Sequence, residues 1–492
     1  MYLGIDCGTQ GTKALLMTGY GVSCGRGYAA HSLIERQSGA REQDPQSWID
    51  AMRTSIKQAV GTRGSEVLAI GVSGQQHGLV VLDEAKQVIR PAKLWNDTET
   101  APQNAALVER LGGKRAVIER FGILPLTGYT VSKLLWMKEV EPDNFSRIRH
   151  ILLPHEYLNF WLTGKICAEY GDASGTAFFD VRTRTWIREI LDEIDGGTGQ
   201  LAASLPPLLS AEEIVGVVRA EVASELGLST SCVVSTGGGD NMMGAIGTGN
   251  VREGVVTLSL GTSSTVYSFR EQPSEMDASV APFCSSSGGW LPLVCTMNAT
   301  NVLTQTLKVL GKGVEDIDPV LASTTPGADG ITFLPFLNGE RTPDLPTAHG
   351  SVFGLSATNF SSANFLRSLI EGVTFGILNG LQLILQGASA NTILVIGGGA
   401  RSREWRQMLA DATGAVVQIP LEEEAGCLGA AIQAIYAYEH SKGIASSFAE
   451  LSKRLVKIDD EKTVVARPEN LELYRVARER YNQTLAAQYP DR

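Results

Sequence analysis

The sequence predicts an α/β protein built on mixed sheets, in two large domains or one very large α/β unit. Three observations carry this reading. The chain has 492 residues, more than one ordinary hydrophobic core organises. Short β-rich apolar runs alternate with longer helical stretches. A strand, Gly-Thr turn, strand pattern occurs twice, about 250 residues apart, which fits duplicated halves and equally fits two unrelated hairpins.

In chain order, Tyr2 to Cys7 is the first apolar run. It leads through Gly8-Thr9-Gln10-Gly11-Thr12-Lys13 into Ala14 to Met17, the signature of a hairpin with a glycine-rich turn. Val67 to Val72, Leu79 to Leu82 and Cys232 to Ser235 predict further strands. Thr257 to Leu260, Gly261 to Thr265 and Val266-Tyr267 predict the second hairpin. Thr392 to Ile396 reads as a strand, followed by the turn Gly397 to Ser402 and a helix over Glu404 to Asp411. The stretch from Gly237-Gly238-Gly239 through Gly244, Gly247 and Gly249 lets segments pass closely and bend. It places the domain boundary near residue 245, dividing 1–245 from 246–492. Glu472 to Arg480, rich in charge and helix formers, predicts a solvated C-terminal helix.

Hydrophobic residues make up 43% and charged residues 19% of the chain, so it reads as globular throughout and not as disordered. The net charge of −11 excludes a broad nucleic-acid or anionic-membrane footprint. Any phosphate must then be met locally, by backbone N–H groups. The opening residues lack a basic leader and no segment approaches 18 uninterrupted apolar residues, so a soluble, cytoplasmic protein is expected. The seven cysteines, Cys7, Cys24, Cys167, Cys232, Cys284, Cys295 and Cys427, are never spaced as C-x-x-C, which argues against a disulfide framework or a zinc site. His155-Glu156 lacks the second histidine of a metalloprotease helix and reads as a loop or a helix start.

Five segments could carry chemistry. Asp6 stands at a strand end before Gly8, Thr9, Gln10, Gly11, Thr12 and Lys13, where N–H groups could cradle phosphate and the carboxylate could hold Mg²⁺; a plain hairpin is the alternative. The P-loop spacing occurs nowhere in the chain. Gln75, Gln76 and His77 gather an amide-rich, imidazole-bearing loop suited to sugar hydroxyls, or to a structural histidine. Trp95-Asn96-Asp97 offers an aromatic face with polar groups, or a capped turn. Asp240-Asn241 after three glycines offers a base for an attacking hydroxyl, or a helix cap. Gly397 to Ser402 between strand and helix could approach a nucleotide, the helix N-terminus favouring negative charge, or be a tight turn.

Taken together and in this order, with Gly339 to Pro343 between them, these segments resemble the FGGY family of carbohydrate kinases across nearly the whole chain. Two longer stretches carry the resemblance further. Gly128 to Glu139 is similar to one family signature, with Val140 where a polar residue is usual, and Gly350 to Leu355 with Asn364 to Glu371 is similar to the other. The resemblance implies two actin-like, ribonuclease-H-like ATPase domains around a cleft, the first mainly for sugar and the second mainly for ATP with Mg²⁺. It implies Asp240 as catalytic base and Asp6 as the acidic catalytic residue near the transferring phosphate, both near the metal. Gly261, Thr262 and Ser263 match the second phosphate hairpin, and Gly398, Gly399, Ala400 and Arg401 the nucleotide turn. Gln76, His77, Trp95, Asn96, Asp97 and Asn241 fall at sugar-contact positions, and members acting on D-xylulose are the most similar there. The implied reaction is ATP-dependent phosphorylation of a ketopentose, D-xylulose to D-xylulose 5-phosphate, with ribulose, gluconate, glycerol or a hexulose as other substrates. An actin- or chaperone-like ATPase is the rival outside enzymes of this kind. The implied partners are a small sugar and ATP, with no nucleic acid and no membrane, and a homodimer is compatible. Gln76 stands where Met is frequent, and His155-Glu156 where Lys-Asp is common.

Overall fold

The computed structural model describes residues 1–275 and 277–490. The chain forms two compact units. The first takes Met1–Val251, Arg270–Leu291 and Glu424–Val456; the second takes Arg252–Phe269, Pro292–Glu423 and the chain from Lys457 onward. The first break therefore follows Val251, and two later segments return to the first unit, which a single cut near residue 245 does not provide. Residue 245 lies inside the helix Asp240–Thr248. Its glycines bring backbones close together: a Cβ on Gly247 would stand 1.9 Å from the Ala425 carbonyl oxygen. They let this helix pack backbone to backbone on the helix Ala425–Ser441.

The sheet of the first unit runs in the order Ile214–Val217, Val233–Ser235, Ala69–Gly74, Tyr2–Cys7, Gly11–Met17, Ser23–Ala30. The first hairpin is antiparallel, with Asp6 opposite Lys13. Tyr2–Cys7 runs parallel to Ala69–Gly74, with Asp6 opposite Ser73. Alternation along the strand sends Leu3, Ile5 and Cys7 into a core with Trp48, Met52 and Ile56 of the helix Pro45–Val60. Each fully buried side chain such as Met52 or Ile56 contributes roughly 1.5–3 kcal/mol. Gly4 faces the other way, where a Cβ would stand 1.8 Å from the Cys427 carbonyl oxygen. The same holds for Gly71, at 2.0 Å from the Ala430 carbonyl oxygen, so the helix Ala425–Ser441 lies directly on the strands.

In the second unit the strands Ser264–Ser268, Val255–Leu260, Thr392–Ile396 and Val416–Gln418 lie side by side in that order. Val255–Leu260 and Ser264–Ser268 form the predicted second hairpin, with Leu260 opposite Ser264. The helix Ser362–Leu385 is long and apolar enough to cross a membrane, but most of it is buried in the fold. It is a core helix, and its Arg367 donates to Glu371 at 2.9 Å and to the Tyr474 hydroxyl at 2.7 Å. The predicted C-terminal helix is present as Pro468–Gln488, but one face is core: Tyr474, Ala477, Tyr481 and Leu485 are buried.

Candidate active site

Sheet register assembles the first unit's site. Asp6 ends its strand opposite Ser73, whose Oγ donates to Asp6 Oδ1 at 2.6 Å. Gly238 pairs with the same Ser73 and Gly239 with Gly74, so the chain rejoins the sheet just before Asp240 opens its helix. Asp6 and Asp240, far apart in sequence, are thereby delivered to one end of the same sheet. Both side chains are half-buried. Burial raises the Asp6 carboxyl, against Ser73 and Lys13, which hold it down. Asp240 is pushed up to about 8, by burial first, then by the negative charges of Asp6 and Asp172. A helix N-terminus favours an ionised carboxylate, so desolvation and like charge outweigh it here.

The sugar-facing candidates collect around this pair. Asn241 Nδ2 donates to Gln76 Oε1 at 2.7 Å and to Asp240 Oδ1 at 3.2 Å. The Gln76 amide nitrogen is buried with no protein acceptor. Gly239 makes room for it, since a Cβ there would meet Gln76 Cγ at 2.7 Å. His77 adopts φ 64°, a left-handed conformation uncommon outside glycine. Lys133 Nζ and Thr130 Oγ1 both donate to its carbonyl oxygen, and its ring packs 4.6 Å from Tyr129 and 5.8 Å from Phe283. Burial lowers the Lys133 ammonium to about 7.

The first hairpin is tied to these loops through its tip. Gly8 N–H donates to Gly11 O at 3.1 Å and closes the turn. Thr9 Oγ1 donates to Gln75 Oε1 at 3.1 Å and accepts from Trp95 Nε1 at 3.0 Å. Trp95 stays 44% exposed, as a stacking face requires. Gln10 is exposed, and Thr12 is buried opposite Cys7. Lys13 is engaged: its Nζ meets Glu424 Oε2 at 2.6 Å.

Asp97 is placed differently from a sugar ligand. It has no exposed surface, and its carboxylate accepts from the N–H groups of Arg41 and Glu99 and from Lys93 Nζ. Glu42, Asp97 and Glu99 converge closely enough to hold a metal ion, but the Lys93 ammonium fills that position at 3.1, 3.1 and 2.5 Å. Asp97 thus braces the turn that carries Trp95 and Asn96, and Asn96 keeps a buried, unpartnered Oδ1.

In the second unit, Ser259 opposite Ile396 sets the two glycine turns side by side. A Cβ on Gly397 would stand 2.7 Å from the Leu260 carbonyl oxygen. Gly261 accepts from Thr300 N and Oγ1 at 3.1 and 2.7 Å, while Thr262 and Ser263 are exposed at the hairpin tip. Gly398 and Arg401 are exposed, and Gly399 and Ala400 are buried. The N-terminus of the helix Arg403–Thr413 does not await an anion. Asp318 accepts from Arg403 N at 3.1 Å, from Glu404 N at 3.2 Å and from Ser402 Oγ, so an internal carboxylate already supplies the negative charge.

Asp172, Phe283, Glu424 and Gly426 were not singled out in the sequence, and Tyr129 and Lys133 only as part of the stretch Gly128 to Glu139. Gly426 leaves space beside Asp6, where a Cβ would stand 2.9 Å from the carboxylate. Its signal was the small-residue run Ala425-Gly426-Cys427-Leu428-Gly429-Ala430-Ala431.

The N-terminal domain of the FGGY family of carbohydrate kinases matches residues 1–247, and the C-terminal domain of that family matches residues 256–438. The chain belongs to the FGGY family of carbohydrate kinases. Among FGGY relatives, the xylulose kinase of Haemophilus influenzae is 45% identical over 99% of this chain and 100% of its own length. That of Streptomyces rubiginosus is 39% identical over 88% of this chain and 87% of its own. The crystal structure of xylulose kinase from Bifidobacterium adolescentis superposes with a TM-score of 0.85 at 31% identity, covering 97% of this chain and 99% of that one. The FGGY membership makes the chain a two-domain carbohydrate kinase with ATP as phosphoryl donor.

Proposed function

We propose that this kinase transfers the γ-phosphoryl group of ATP to the terminal hydroxyl of D-xylulose, giving D-xylulose 5-phosphate. The observation that carries the reaction is Asp240, a half-buried carboxylate raised to about 8 beside Asn241 and Gln76. A base of that strength suits a proton coming off an alcohol at neutral pH. Asp240 takes the proton from the attacking hydroxyl, while Gln76, Asn241 and His77 orient the sugar through its other hydroxyls. Trp95 offers its exposed ring to the apolar edge of the sugar. The choice of D-xylulose is supported by the relatives named xylulose kinase, up to 45% identical.

A divalent cation fits the chemistry at Asp6 and Asp240. Each carboxyl is raised by burial, their charges oppose one another, and Gly426 leaves the Asp6 oxygens open. These two residues would hold Mg²⁺, which when bound with the nucleotide offsets charge on the phosphoryl oxygens. In the second unit, Gly261, Thr262 and Ser263 and the turn Gly398 to Arg401 supply backbone N–H groups for the nucleotide.

The test couples ADP release to NADH oxidation with Mg-ATP and a panel of D-xylulose, L-xylulose, D-ribulose, L-ribulose, D-fructose, gluconate and glycerol. A preference for D-xylulose is expected. Preference for another polyol overturns the substrate and keeps the chemistry, and folded, ATP-binding protein that turns over none of them overturns the substrate class.

A further inference from the structure

Beneath the glycine run that precedes Asp240 lies a group of buried titratable side chains that the transfer reaction does not use. His155 Nδ1 bonds Asp172 Oδ2 at 2.8 Å, and neither residue has any exposed surface. His155 is wedged between two segments that carry site residues. A Cβ on Gly74, just before Gln75 and Gln76, would meet His155 Cβ at 2.9 Å, and one on Gly237 would meet its Cδ2 at 3.2 Å. On the other side, Asp172 sits in the short helix Tyr170–Ala173, which runs straight into the turn Ser174–Thr176 whose Gly175 backs the His77 ring, a Cβ there falling 2.2 Å from it. The negative charge of Asp172 reaches Asp240 and Lys133 as well as His155. Glu169 caps the same turn through the N–H groups of Gly171 and Asp172.

We propose that the buried His155–Asp172 pair is a positioning element of the phosphoryl-transfer site, an ion pair that sets the Gly237–Asp240 run and the His77 ring in register with each other. This rests on Asp240 and His77 acting as assigned above. Burial pulls the His155 imidazolium down, while the hydrogen bond and charge of Asp172, then the buried Glu156 and Glu169, raise it to about 8, so removing the cation leaves buried carboxylates without their counter-charge. The pair touches no reacting atom; it acts through the residues it seats.

The test compares His155→Gln, His155→Lys and Asp172→Asn in the full-length chain, assayed on whichever panel sugar the wild type turns over best. A wrong choice of sugar therefore leaves this proposal testable. His155→Gln and Asp172→Asn are expected to lower kcat about 10-fold or more, with KM for ATP within about twofold of wild type, since small misplacements of reacting groups cost rate. His155→Lys, which restores a cation opposite Asp172, is expected to recover kcat to within about threefold. Retention of kcat within about twofold in both neutral variants overturns the proposal, because a true positioning pair cannot be neutralised without loss of rate. So does folded His155→Lys protein as slow as folded His155→Gln. If His155→Gln fails to fold, the folded His155→Lys enzyme decides alone: near-normal kcat supports the ion pair, and low kcat overturns it.

Discussion

At the scale of single residues, the raised carboxyl of Asp240, the proposed base, also bears on stability. Its carboxyl shifts from 3.8 to about 8 on folding. Between those values the folded protein holds a proton that the unfolded chain has lost, so this group's contribution to stability falls as pH rises through that range. Asp240→Asn removes the penalty. Its thermal midpoint is expected to exceed that of wild type at pH 7.5, with the difference vanishing below pH 4; equal midpoints at pH 7.5 would contradict the raised carboxyl. The same variant is expected to lose about 10²–10⁴-fold in kcat, with sugar binding still detectable by calorimetry. As the proposed base, Asp240 accepts the proton only when ionised, so kcat/KM for the sugar should rise with pH through its titration, which bound Mg²⁺ moves below the metal-free value of about 8. A profile flat from pH 4 to 9 would remove Asp240 from the base role.

At the scale of elements, glycines decide which backbones touch. Gly429 has the Met243 carbonyl oxygen 1.8 Å from where its Cβ would be, and backbone cannot give way as a side chain can. Gly429→Ala is expected to destabilise the first unit by about 1–3 kcal/mol through overpacking, read as a lower urea midpoint at unchanged slope. Gly239→Ala meets a flexible neighbour instead, the Gln76 side chain. It should leave the urea midpoint nearly in place while raising KM for the sugar and not for ATP. A parallel rise in both constants would mean that Gln76 does not serve the sugar.

At the scale of the whole molecule, the first unit is completed by chain that arrives last. The helix Ala425–Ser441 and the segment after it cover Leu15, Met17, Met243 and Ile246 with Leu428, Ile432, Ile435, Leu451 and Leu455. A fragment of residues 1–251 lacks that cover and exposes one face of its sheet. It is expected to bind the dye ANS and to melt without a cooperative transition, as states with secondary structure but unfixed packing do. A sharp calorimetric peak from this fragment would show that the late helix is dispensable.

Local chemistry settled much of this in the sequence alone. Both hairpins and the strand and turn at Thr392 to Arg401 are short-range patterns, and short-range sterics and hydrogen bonding are enough to specify them. Tertiary structure decided what those groups meet. Lys13 pairs with Glu424, 411 positions away; Asp97 turns inward to Lys93; Asp318 takes the helix N-terminus at Arg403; and Asp172 joins His155 beside Gly74 and Gly237. Such pairings are set by sheet register and by how closely glycine lets backbones approach, and neither leaves a mark in the local sequence of the residues that are brought together.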